Sequence, residues 1–131
     1  MALKLSLKPG ERVAINGAVI VNGDRRSSIV VENKASVLRE QDIMQPEDAD
    51  TPAKRIYLPI MLMYLDARVE TDMRAEYSKR LMEFAEAITD KKALDDCLKL
   101  AAHVANGDYY KALVACRDLM AFEEKRLANV A

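Results

Sequence analysis

The 131-residue sequence predicts an α+β protein, a small five-stranded antiparallel β unit followed by a four-helix region. Three observations predict it. Residues 3–39 break into short β-rich pieces punctuated by Pro-Gly and Asn-Gly turns. Residues 56–131 repeat their apolar side chains every three or four positions. Between them QPEDADTPAKR, residues 45–55, carries two prolines and no period. The expected organisation is a β-rich unit at 1–45, a linker at 46–55 and a helical bundle at 56–131.

Each element follows from local pattern. LKLSL at 3–7 puts Leu3, Leu5 and Leu7 on one face and Lys4 and Ser6 on the other, until Pro9-Gly10 breaks the strand. RVAI (12–15) and AVIV (18–21) flank Asn16-Gly17, a strong signal for a two-residue hairpin. Asn22-Gly23-Asp24 turns the chain again, and SIVVE (28–32) and SVLR (36–39) complete the set. Five strands this short enclose little interior, so the unit is expected to pair with another chain as a homodimer or to pack against the second half.

The first helix is expected over about 58–66, with Pro59 in its first turn, where a missing N–H is harmless. A second spans roughly 70–88 with the stripe Met73, Tyr77, Leu81, Phe84 and Ile88. Thr89 or Asp90 caps a third helix, Gly107 ends it, and Asp108 caps a fourth running to about Leu127. The last two form an antiparallel hairpin. Counting from its turn, Leu94 meets Leu119, Cys97 meets Cys116 and Leu100 meets Leu113.

Composition narrows the function. Half the residues are apolar, 31% are charged and the net charge is −1, so no global field attracts nucleic acid or membrane. The longest apolar run, Ile56–Leu65, is ten residues, half of what a bilayer span needs. Two cysteines and no signal-peptide pattern give a cytoplasmic reading, with two buried thiols favoured over a disulfide or a redox switch. The single histidine, His103, reads as a half-buried residue near the hairpin turn rather than a base or ligand. With no acid pair, nucleophile motif or metal-ligand spacing, no enzyme, metal or cofactor is expected.

Charge is unevenly distributed. Residues 1–45 hold seven basic and five acidic residues, a balance of +2, and residues 46–131 hold thirteen and sixteen, a balance of −3. The basic set is Lys4, Lys8, Arg12, Arg25, Arg26, Lys34 and Arg39. Such a face suits RNA phosphates, although small sheets also carry Lys and Arg simply as wet faces and edges. No aromatic residue precedes Tyr57, which excludes base-stacking sheets of the RRM or OB kind. Arg39, at a strand end, reads either as a donor fork for a phosphate or guanine edge, or as a rim salt bridge to Glu40 or Glu11. In the helical half IYLPIMLMYL reads as core, or through Ile60, Met61, Met63 and Tyr64 as a partner-binding surface with adaptable methionines.

Taken together, KPGER, INGAV, NGDRR, NKASVLRE, DIMQP and DYYKAL resemble the FlbT family of flagellum biosynthesis repressors over nearly the whole chain. The resemblance implies a post-transcriptional regulator that acts on the 5′ untranslated leader of flagellin mRNA, limiting translation and promoting decay. It also implies a small partner protein, FlaF. The alternative is a flagellin-handling chaperone or adaptor whose helical half binds flagellin or FlaF, with indirect effects on the message. The β half is also similar to the CsrA/RsmA regulators, with Lys8-Pro9-Gly10-Glu11 as the turn and Val37-Leu38-Arg39-Glu40 as the ending. That similarity adds Leu5 to the RNA-contact candidates and singles out Lys4, Lys8 and Arg39 among them.

Overall fold

A computed structural model describes residues 2–130, with side chains through residue 127. The chain forms two compact units, Met1–Ile43 and Met44–Ala131.

The first unit holds five antiparallel strands in two sheets: β1 (Leu3–Leu7), β2 (Arg12–Ile15), β3 (Ala18–Val21), β4 (Ser27–Val31) and β5 (Val37–Arg39). β1 pairs with β4, opposing Leu5 to Ile29 and Leu7 to Ser27. The second sheet runs β3-β2-β5, with Val13 opposite both Ile20 and Arg39. Period two explains one side of the core, while Ala14 and Leu38, on the other face of the second sheet, are buried as well. Leu5, Leu7 and Val13 are buried, and Ile15, Ile29, Val31 and Val37 pack against them. The β2–β3 connection is the two-residue turn the sequence predicts, with φ +53° at Asn16 and +89° at Gly17. Positive φ at both positions matches the right-handed strand twist, and Asn and Gly tolerate it best. The turn is tied to the start of β5, because Asn16 Oδ1 accepts from the Ser36 N–H at 2.9 Å.

Asn22 holds the other end of the unit together. Its side-chain nitrogen donates to the carbonyls of Leu7 (3.2 Å), Lys8 (2.8 Å) and Arg25 (2.9 Å), and its Oδ1 accepts from Ser27 Oγ at 2.7 Å. One amide thus fastens the end of β1, the turn after β3 and the start of β4.

The second unit holds four helices: α1 (Pro52–Leu65), α2 (Glu70–Ala87), α3 (Lys91–Ala105) and α4 (Tyr109–Val130). α1 packs against α2 and α4, and α3 against α4. α1 begins six residues before its expected start, inside the segment read as a linker, and a short 3-10 turn at Pro46–Asp48 precedes it. The reason is local. Thr51 caps the helix by accepting from the Lys54 N–H at 3.4 Å, and Pro52 occupies the first helical position. The Glu123 carboxylate of α4 accepts from the Ala53 N–H at 2.9 Å, satisfying another end donor and placing negative charge at the helix N-terminus. Pro59 therefore lies inside the helix, not in its first turn. The burial stripe Ala53, Ile56, Ile60, Met63 runs through it at helical spacing, and packing on both sides carries the helix past the lost N–H.

α2 buries Tyr77 and Phe84 and half-buries Met73 and Leu81, and Ile88, half-buried just past its end, completes the stripe read from the sequence. The α3–α4 hairpin turns at Gly107, where φ is +74°. Asp90 caps α3 through the Ala93 N–H at 2.9 Å. Cys97, Leu100, Cys116, Leu113 and Leu119 are all buried. Leu94 is half-buried, and its neighbour Ala93 takes the fully inward position. Both cysteines are free thiols.

Candidate nucleic-acid interface

Strand alternation sets up the site. With Leu5 and Leu7 inside, Lys4 and Ser6 project outward from β1. Two guanidinium groups converge on Ser6. Arg26 Nη1 donates to Ser6 Oγ at 3.1 Å, and Arg39 Nη2 donates to the Ser6 carbonyl at 2.7 Å. Arg39 reaches it because β5 pairs with β2 at Val13, which brings its last residue to the Lys8–Glu11 turn.

Arg39 also grips Glu11. Nη2 and Nε donate to Glu11 Oε2 at 2.7 and 3.3 Å, while Glu11 Oε1 accepts from the Lys8 N–H at 2.9 Å. These contacts, led by the Lys8 N–H and then Arg39, hold the Glu11 carboxyl below its usual value. Glu40 accepts from the Arg12 N–H at 3.1 Å and closes the same end. The result is an open cleft of about 400 Å³ lined by Lys8, Pro9, Gly10, Glu11, Arg39, Glu40 and Gln41.

Register decides which basic residues share this end. Lys8, Arg12, Arg25, Arg26 and Arg39 lie at or beside it, and Lys4 stands partway along β1. Lys34 does not belong to the group. It precedes Ser36, which is bonded to Asn16 at the opposite end of the unit. Leu5 is buried in the core, so no side-chain surface is available there. Of the two partners weighed for Arg39, the ion pair forms with Glu11. Ser6, where the two arginines meet, was readable from the sequence only as an outward strand position. Asn22 was readable only as a turn residue.

In the helical unit Ile60, Met61 and Met63 are buried. Leu62 is the exposed side chain of that stretch. Tyr64 is half-buried, its ring tilted 48° against Tyr110 at 5.7 Å. His103 lines a groove of about 430 Å³ on the α3–α4 surface with Tyr110, Val114 and Ala115, flanked by Lys99, Lys111, Asp96 and Asp118. Burial pushes both thiols up in pKa, Cys116 most strongly. Among the described residues, no group of three or more His, Cys, Asp or Glu could hold a metal ion. No described helix is long and apolar enough to cross a membrane.

Fold and site together define a class: a small α+β protein whose β unit presents an open cleft lined by both basic and acidic side chains, and whose second unit is a helical bundle. The family follows from comparison. The family described as flagellar protein FlbT matches residues 3–127, and the chain belongs to it. The chain is 50% identical over 130 residues to the flagellum biosynthesis repressor protein FlbT of Caulobacter vibrioides, covering 99% of this chain and 92% of that one. It is 50% identical to the probable repressor of Caulobacter sp. strain K31, covering 99% of each. It is 36% identical over 131 residues to the probable repressor of Rhodopseudomonas palustris, covering 98% and 100%. No solved structure matches the chain significantly.

Proposed function

We propose that this chain represses flagellin synthesis after transcription, binding the 5′ untranslated leader of flagellin mRNA through the Lys8–Arg26–Arg39 end of its β unit. The observation that carries this reading is the meeting of two guanidinium groups on Ser6 beside an open cleft. An RNA strand crossing that end would meet Lys8 and Arg39 in the cleft and Arg26 beside Ser6. Because no aromatic residue stands in the β unit, contact would run through phosphates and base edges rather than stacking. A protein seated on a leader blocks ribosome access and exposes the message to decay. The relatives' printed name, flagellum biosynthesis repressor, supports the direction of the effect. The test is a gel shift of the full chain on the flagellin leader. Arg26→Ala with Arg39→Ala should weaken binding at least tenfold while Lys34→Ala leaves it within twofold. Absence of binding by the unaltered protein, or equal loss from Lys34→Ala, would refute the reading.

A second reading is favoured by the α3–α4 groove, whose exposed Tyr110 and Val114 suit an apolar helix. There the helical unit would hold flagellin or FlaF, and effects on the message would be indirect. Val114→Asp would then abolish co-purification with that partner and leave leader binding intact.

A further inference from the structure

β3 is an edge strand whose four residues, Ala18–Val21, are all apolar and all exposed. Val19, Ile20 and Val21 leave 58, 42 and 56% of their surface in water. The other strands differ. β1 carries Lys4 outward, β2 begins with Arg12, β5 ends with Arg39, and β4 follows directly on Arg25-Arg26. Natural sheet edges are usually blunted by charge, proline or a bulge, because an open edge is a template for another strand. β3 has none of these devices. Residues 13–23 contain no charged side chain at all.

We propose that β3 is the contact between two copies of this chain, pairing antiparallel with its own copy into a six-stranded sheet ordered β5-β2-β3-β3-β2-β5. Two features select a second copy as the occupant, and a third sets the strength of the pair. First, a twofold axis sets the paired segment against an identical one, so any net charge there would face an equal net charge of the same sign. The uncharged stretch 13–23 removes that repulsion.

Second, the strand matches itself. A twofold axis normal to the sheet keeps each residue on its own face, so opposed residues share a face. Centring the axis on Ile20 sets Ile20 against its copy on the Val13 face and Val19 against Val21 of the other chain on the face that carries Ala14 and Leu38. β-branched residues thus meet β-branched residues in every central pair, the combination that packs best across strands. Third, the area fits a reversible pair. A four-residue strand supplies less than the roughly 800 Å² per partner of a standard interface, so association is concentration-dependent rather than obligate. Because β3 runs toward Asn22, antiparallel pairing sends the two Ser6 ends to opposite ends of the joined sheet.

The test is sedimentation equilibrium of the full chain across a hundredfold concentration range. The unaltered protein should pass from monomer to dimer. The double variant Val19→Lys, Val21→Lys should raise the dissociation constant at least tenfold with its circular dichroism spectrum unchanged. A second variant guards against loss of fold. Ile20→Cys should link to its own copy through a short bismaleimide, and the buried Cys97 and Cys116 leave the unaltered chain unlinked. A chain that remains monomeric throughout overturns the proposal, including one that instead captures a strand of another protein. So does a lysine variant that dimerises as well as the original, or a dimer in which Ile20→Cys fails to link.

Discussion

The dependence of leader binding on salt gives the sharpest check of the cationic end. Each phosphate neutralised on single-stranded nucleic acid changes log K by about −0.7 per unit of log salt concentration. Lys8, Arg12, Arg25, Arg26 and Arg39 lie at or beside the Ser6 end, and Lys34 lies at the other. Five contacts give a slope of about −3.5, or roughly a 130-fold loss of affinity between about 50 and 200 mM salt. Removing Arg26 and Arg39 together should bring the slope to about −2.1 and the loss to roughly 18-fold. Lys34→Ala should leave the slope where it was. Fluorescence anisotropy with a labelled leader fragment, titrated at several salt concentrations, measures all three proteins. A flat slope for the unaltered chain, or a slope the double variant does not change, would refute the assignment of this end to RNA.

Other consequences concern the helical unit. Leu113→Ala removes a fully buried side chain at the α3–α4 contact and should destabilise by about 2–5 kcal/mol, read as a lower urea midpoint. Less than about 1 kcal/mol would contradict its place in the core. Glu123→Ala leaves the Ala53 N–H of α1 without its carboxylate, and a loss of about 1–2 kcal/mol is expected in the same assay. Burial raises the Tyr77 phenol to about 12, above its unfolded value near 10. Its protonated form is therefore favoured by folding. That contribution is complete below about pH 10 and is lost as pH rises through about 12. In an ultraviolet titration of the folded protein, the difference between the unaltered chain and Tyr77→Phe should titrate near 12. A difference centred on 10 would show that the ring is wet.

The strands and three of the helices were legible because their signals are local. Alternation in LKLSL, positive-φ residues at Asn16-Gly17 and the Tyr77–Phe84 stripe need nothing outside their own segments. The start of α1 was less legible because Pro59 suggested a first turn. The competing signal, Thr51-Pro52 ahead of Ala53 and Ile56, is short, and part of the stabilisation comes from Glu123, seventy residues away. The site was legible as a list of cations but not as an arrangement. Arg39 and Glu11 stand 28 positions apart, and only the β2–β5 register makes them neighbours. The same register separates Lys34 from the others. The run Ile56–Leu65 announced a strongly apolar segment, yet only the packing of α1 against α2 and α4 decides which of its side chains remain outside.

Cys97 and Cys116 give the molecule a built-in clock. Each thiol is buried, and burial keeps each protonated, so reagents that need a thiolate meet almost none in the closed hairpin. Alkylation at these two sulfurs therefore counts openings of α3 and α4, with no label added. A ligand that tightens the helical unit would slow the count, and one confined to the β unit would leave it running at its native pace.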